Sequence, residues 1–259
     1  MVRKLKPVFR IYHPIIFNCG DTQKPVNIED FDDAVPKIDE AEFGFGKGRF
    51  ILRRAEENPN KTFIAVEAVS ALFLKTLAKA QSLNLSNLYL VLGDARLVFS
   101  LYLCRAKLDT AYFLFPDPWH KSKHQKHRMI TEKTLPYLTK LLKDTGKLVI
   151  RSDNHIVLFD IFSNLTESGL KLQLLEWNEN LDNALTEWET RAINDGRKIL
   201  HAEFVKPTEY INSTLLPLFD ERQISYRRFV DGKIKYFNSV ADADFAEFNV
   251  LKIPDNLFL

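Results

Sequence analysis

A chain of 259 residues with 46% hydrophobic content is long enough to bury a core and short enough to be one domain with an appendage. Nine glycines and eleven prolines, about 8% of the chain against a usual share near 12%, exclude collagen-like and low-complexity readings. No run of 18 apolar residues is present to span a membrane as a helix. Thirty-six Lys and Arg against 34 Asp and Glu leave a formal charge of +2, so a polyanionic partner requires positive charge gathered locally. Cys19 and Cys104 stand far apart, in neither metal-ligand nor redox spacing. The basic start, with Arg3, Lys4, Lys6 and Arg10, leads into no apolar run, so no secretory signal is expected and the expected compartment is the cytoplasm.

Residues 1–37 mix charges with Pro7, Pro14, Pro25 and Pro36 and read as an irregular or partly extended lead-in. From Ile38 short apolar runs alternate with segments of helical period. Strands are expected at Ala41–Phe43, Thr62–Val66, Leu88–Leu92, Thr110–Phe115 and Lys147–Arg151, and helices at Phe50–Glu57, Ser70–Gln81, Thr131–Lys143 and His155–Ser168. That alternation implies an α/β, mostly parallel, doubly wound sheet over residues 38–207. Further strands at Lys171–Trp177 and Lys198–Val205 follow the last crossover, where an antiparallel edge is expected. Residues 208–259 hold eight acidic residues, six basic residues and six phenylalanines. Tyr226–Val230 and Lys233–Phe237, joined by Asp231-Gly232, form a hairpin pattern, and this C-terminal extension is too apolar for a solvated tail.

Three glycines, Gly44, Gly46 and Gly48, fall between the first strand and its helix, where the backbone can turn tightly, approach a ligand closely and offer oriented N–H groups. The spacing differs from the dinucleotide G-x-G-x-x-G, and an ordinary strand-to-helix turn remains open as a reading. The second strand ends at Glu67, placed to take two ribose hydroxyls; the third ends in Gly93-Asp94-Ala95, whose carboxylate suits an exocyclic amine. Either acid alone fits a helix cap or turn equally well. Together on one rim they fit an adenosine-bearing cofactor without pyrophosphate. The fourth strand enters Pro116-Asp117-Pro118-Trp119, a turn held rigid by two prolines. His120 to Arg128 then carries Lys121, Lys123, Lys126 and Arg128 with His120, His124 and His127 and no acid, a cationic run suited to phosphates beside a reactive site. With no Cys or acid in the run to complete a ligand set, no metal is expected.

These motifs, together with Arg151-Ser152-Asp153-Asn154 and Thr186-Glu187-Trp188-Glu189, resemble the tRNA (guanine-N7)-methyltransferase family of the bacterial single-chain type over roughly residues 40–207. The resemblance implies a Rossmann-like, seven-stranded class I methyltransferase sheet with one antiparallel edge strand. It also implies methyl transfer from S-adenosylmethionine to N7 of guanine 46 in the tRNA variable loop. It assigns Glu42, Gly44, Gly46, Gly48, Glu67, Asp94, Ala95 and Asp117 to the cofactor, with Asp117 also as the catalytic carboxylate. Lys121, Asp153, Thr186 and Glu189 fall to the substrate base, and Lys123, His124, Lys126, His127 and Arg128 to RNA. The implied partner is tRNA, with no membrane and no obligate protein partner, as a monomer or homodimer. His120 departs from the family's usual proline, and Ser122 and His127 from its usual basic residues.

Guanine N7 carries a lone pair and no proton, so transfer requires alignment and electrostatics rather than a prior general base. Asp117 is then an acceptor for the guanine N1–H and amino group. Trp119 stacks on the purine or closes the turn as a core aromatic, and Asp153, Thr186 and Glu189 bracket the base or cap a helix. Other classes keep a place: an amino-methyltransferase, which lacks its second proline here, a tRNA-binding module with a relic pocket, and a nicotinamide dehydrogenase, which lacks the final glycine.

Overall fold

A computed structural model describes residues 11–12, 14–27, 37–103, 106–119, 127–167, 170–178, 185–206, 224–230, 233–237 and 248–252. The strands are β1 (Ile11–Tyr12), β2 (Ile15–Asn18), β3 (Asp21–Asn27), β4 (Glu40–Phe43), β5 (Phe63–Glu67), β6 (Leu88–Leu92), β7 (Leu108–Leu114), β8 (Leu142–Ser152), β9 (Lys171–Asn178), β10 (Ile199–Val205), β11 (Ile224–Val230), β12 (Lys233–Phe237) and β13 (Phe248–Lys252). The helices are α1 (Arg49–Glu57), α2 (Ser70–Ser82), α3 (Leu135–Leu141), α4 (His155–Glu167) and α5 (Glu187–Asn194), with a short turn at Ala95–Leu97 running into a π-helical turn at Val98–Tyr102.

The main sheet has nine strands in the order β3-β2-β6-β5-β4-β7-β8-β10-β9. β6, β5, β4, β7 and β8 are mutually parallel. The order reverses between β4 and β7, which opens a crevice at their carboxyl ends. The chain thus has the α/β Rossmann-like sheet expected, with two differences of detail. β10 is the antiparallel strand, but it lies between β8 and β9, so the outermost strand is β9. And the lead-in contributes β2 and β3, the first antiparallel to β6 and the second to β2. Ile15-Ile16-Phe17 is buried on both faces of the sheet, as apolar runs in covered sheets are.

Period-two alternation builds a core on each face. Phe63, Ala65, Leu88, Leu90, Ile15 and Phe17 face α1 and α2, while Ile64, Val66, Val91, Ile16, Phe113 and Ile150 pack with the π-turn, α3 and α4 on the other side. β4, with glutamates at two of its four positions, is tolerated in the sheet because Glu40 is neutralised: its carboxylate accepts two bonds from Arg54 (2.8 and 2.9 Å), one from Lys61 (2.6 Å) and one from the Tyr112 hydroxyl (3.1 Å). The helix expected at 131–143 is shorter. Thr131 and Thr134 exchange side-chain bonds in a turn before it, and Pro136 sits in its first turn. The C-terminal hairpin forms, β11 against β12, in a second sheet of order β1-β11-β12-β13; its turn, residues 231–232, lies outside the described residues.

Candidate active site

The crevice is edged by the loops that leave β4, β5, β6 and β7. After β4 the chain turns through Gly44, Gly46 and Gly48 at φ 85°, 57° and 71°, all in the left-handed region that side chains avoid. The three glycines do different things. Gly44 donates to the Val66 carbonyl at 2.8 Å and Gly46 donates to Glu67 Oε2 at 2.8 Å. Gly48 caps α1 and faces α2 rather than the cleft; a Cβ there would lie 2.2 Å from Thr76 Cγ2.

Four carboxyl groups follow from four adjacent strand ends. Glu67 is buried and receives Gly46 N–H on one oxygen and Val69 N–H on the other, at 2.8 Å each, so it organises the glycine turn before it can meet any ligand. Glu42 points from β4 under the same turn. It is fully buried, its Oε2 has no partner, and burial with the charges of Glu67 and Glu189 nearby pushes its carboxyl up to about 8. Burial raises Glu67 as well, with Asp117 adding to the effect. Asp94 caps the turn after β6, accepting from Arg96 N–H at 2.9 Å and from the Arg96 guanidinium at 3.0 and 2.6 Å. Asp117 alone is exposed and makes no side-chain hydrogen bond among the described residues. Its turn is held open by two left-handed residues, Phe115 at φ 53° and Trp119 at φ 40°, on either side of the two prolines. Arg128 donates to the Pro118 carbonyl at 3.0 Å and approaches that of Trp119 at 3.5 Å, so it braces this turn.

The cleft between these groups has a volume of about 470 Å³ and is lined by Glu42, Gly44, Gly46, Glu67, Asp94, Ala95 and Asp117. Its mouth carries Trp119 beside His127, ring centres 5.2 Å apart, and Trp188 beneath the guanidinium of Arg191, 4.9 Å from the ring. Thr186 also lines it. Glu189 does not: the pair forms a capping box for α5, Thr186 Oγ1 accepting from Glu189 N–H at 3.2 Å and Glu189 Oε2 accepting from Thr186 N–H, with Leu185 N–H donating to the same oxygen at 2.6 Å. Glu189 is wholly buried in an ion pair with Arg151. Asp153 is paired with Arg197, away from the cleft lining. Lys121, Lys123, His124 and Lys126 lie outside the described residues.

Some groups around the cleft went unread in the sequence. Lys47 reaches Glu187 at 2.7 Å and Arg49 reaches Thr190 at 2.7 Å, tying the glycine turn to α5 across about 140 residues of chain. Only the placement of two basic residues inside the glycine turn hinted at it. Arg96, two positions past Asp94, had no distinguishing signal. A deep carboxyl with an orphaned oxygen beside positive-φ glycines fits a ligand that brings a cationic end and little bulk against the backbone.

A family model described as "Putative methyltransferase" matches residues 37–202. The tRNA (guanine-N(7)-)-methyltransferase of Mycoplasmopsis pulmonis (strain UAB CTIP) is 30% identical over 182 residues, 68% of this chain and 89% of that protein. That of Lactobacillus johnsonii is 31% identical over 204 residues, 75% of this chain and 93% of that protein. Among solved structures, a 30S ribosomal A1408 methyltransferase from an uncultured bacterium superposes with a TM-score of 0.52 at 17% identity, covering 74% of this chain and all of that one, a likeness of fold. A match across most of the sheet, joined to relatives aligned over nearly their whole length, places this chain in the tRNA (guanine-N(7)-)-methyltransferase family.

Proposed function

We propose that this chain transfers a methyl group from S-adenosylmethionine to N7 of a guanine in tRNA, guanine 46 of the variable loop. The observation that carries this reading is the convergence of Glu42, Glu67, Asp94 and Asp117 from four neighbouring strand ends onto one cleft. When bound, S-adenosylmethionine supplies an electrophilic methyl on a sulfonium. Glu42, with its orphaned oxygen, would take the cationic amino end. Glu67 and the Gly44–Gly46 backbone would hold the ribose side, and Asp94 with Ala95 the adenine. These groups bind and orient; none needs to move a proton, because guanine N7 has none to lose.

Asp117 is the carboxylate left for the base. Its exposed position on a turn braced by Arg128 suits an acceptor for the guanine N1–H and amino group, and it lies close enough to Glu67 for the two charges to interact. Trp119 and Trp188 at the mouth offer faces for stacking, worth about 1 to 3 kcal/mol per base. Lys121, Lys123, His124 and Lys126, with His127 at the mouth, would meet tRNA phosphates. In this role Asp153 would have to leave Arg197 before touching substrate. The test is incubation with labelled S-adenosylmethionine and unmodified tRNA followed by nucleoside analysis. The label is expected in 7-methylguanosine and to be absent when guanine 46 is replaced by 7-deazaguanine, which has no N7 lone pair. Label in another nucleoside, or transfer to the deaza tRNA, overturns the reading.

A further inference from the structure

The charges around the cleft are sorted by depth. Its floor is acidic, with Glu42 and Glu67 buried there. Its rim on the β4 side is basic, formed by Lys47 of the glycine turn, Arg49 at the start of α1 and Arg191 of α5, all three exposed. Arg96 also lines the cleft, but its guanidinium is held by both oxygens of Asp94.

The three rim cations share one acid, Glu187. The bond from Lys47 at 2.7 Å, with the charges of Arg191 and Arg49 adding to it, holds the Glu187 carboxyl below its usual range. Arg49 donates to the Thr190 hydroxyl, a neutral partner that leaves the guanidinium charge uncancelled, and Arg191 rests over the Trp188 ring. Three cations to one carboxylate leave this rim net positive. A tie between the glycine turn and α5 needs no such excess. Lys47 and Glu187 also expose 62% and 43% of their side chains, a setting in which an ion pair contributes little to stability and opens readily.

The place of this rim in the fold matches its charge. The strand order reverses between β4 and β7, so the loops that follow these two strands stand on either side of the opening. The basic run from Lys121 to Arg128 follows the β7 turn in sequence, and the rim of Lys47, Arg49 and Arg191 belongs to the β4 side. A nucleotide whose base enters between them carries one phosphate toward each of its neighbours, and cations on one side alone leave the other phosphate without a partner.

We propose that Lys47, Arg49 and Arg191 form a second phosphate-binding surface, which holds the tRNA backbone on the β4 side of the crevice while the basic run holds it on the β7 side. The inference rests on tRNA being the substrate. Glu187 keeps the Lys47 ammonium at the rim of the free chain and gives it up to an arriving phosphate. Arg49 and Arg191 suit phosphate through their planar forks of donors. Contacts of this kind fix where a strand lies and carry no sequence information. Because Arg191 stands over Trp188, a phosphate held by the one sets an adjoining base near the other.

Fluorescence anisotropy of labelled, unmodified tRNA, titrated with the full chain across a series of KCl concentrations, tests this surface. Lys47→Ala, Arg49→Ala and Arg191→Ala are each expected to weaken binding by about fivefold to tenfold at about 0.1 M KCl and to reduce the slope of log affinity against log salt by up to about 1. Lys47→Arg keeps the charge and is expected to retain the native slope. Glu187→Gln removes the acid that competes with phosphate and is expected to bind tRNA more tightly than the native chain, by about threefold, with a steeper salt dependence. A merely structural tie gives the opposite pattern: the alanine variants displace α5 and lose affinity equally at every salt concentration, and Glu187→Gln, which breaks the same tie, binds more weakly. Native slopes in the alanine variants, or Glu187→Gln binding no more tightly than the native chain, overturns the proposal, as does a native chain that binds no tRNA. A chain that places label in 7-methylguanosine while its salt slopes ignore these substitutions keeps the reaction assigned above and loses only this surface.

Discussion

Glu42 sets the electrostatics of the cleft floor. Burial beside Glu67 and Glu189 lifts its carboxyl from the ordinary 4.5 to about 8. Between those two values the folded chain holds a proton that the unfolded chain has released. Stability linked to Glu42 is therefore fully present below about pH 4.5 and is lost as pH rises through about 8. Glu42→Gln removes the titration while keeping the shape. Denaturant unfolding is expected to show the variant more stable than the parent by on the order of 1 to 3 kcal/mol near pH 8.5, with the difference shrinking toward pH 5. An unchanged pH profile would mean that Glu42 ionises normally. A ligand with a cationic end at the proposed site would offset this cost. The position of Glu42 and Glu67 on a strand-end rim was legible from the sequence. The division of labour was not, because whether a carboxylate faces a ligand or its own backbone depends on where Gly46 and Val69 present their N–H groups.

α5 shows how one short helix serves both the fold and the cleft. Thr-x-x-Glu is a capping signature that the sequence displays openly, and the capping box forms. Hidden from sequence was the second use of Glu189, an ion pair with Arg151 from β8, which in turn touches His201 of β10 at 3.3 Å. Removing one member of a buried pair leaves the other charge uncompensated. Arg151→Met is expected to destabilise the chain by about 3 to 5 kcal/mol. Lys47→Ala, at an exposed pair with Glu187, is expected to leave the melting temperature unchanged. Equal melting temperatures for the two variants would refute this ranking. Strand patterning located β5, β6 and β7 well because each is largely a run of apolar residues between turn signals, whereas β4, Glu-Ala-Glu-Phe, stood out by the glycine turn that follows it. β2 escaped because Ile15–Phe17 is three apolar residues between Pro14 and Gly20, and it becomes a strand only by pairing with β6. Nor does any local pattern announce that β10 inserts between β8 and β9; that order is set by how the crossovers pack.

At the scale of the whole molecule, the N-terminal segment and the cleft are mechanically joined. β2 lies along β6, and Pro14 presses on the residue before Asp94: a Cβ on Gly93 would stand 2.7 Å from Pro14 Cβ and 3.3 Å from Val98 Cγ2. Gly93→Ala must push either the lead-in or the Asp94 turn aside, and is expected to lower stability by about 1 to 3 kcal/mol while weakening cofactor affinity. A stability loss with unaltered affinity would show that the lead-in yields and the turn does not. Among the described residues no helix is long and apolar enough to cross a membrane. The cleft sits where the strand order reverses, so its four acids come from segments spread over residues 42–117 and meet only when the parallel sheet has formed.

The most direct test is calorimetric titration of S-adenosylhomocysteine into the native chain and into Glu42→Gln. Saturable binding to the native chain is predicted, with affinity at least about tenfold lower for the variant even though the variant is the more stable protein. Equal affinity for the two, or no binding to the native chain, would contradict the assignment of this carboxylate-floored cleft to the methyl donor.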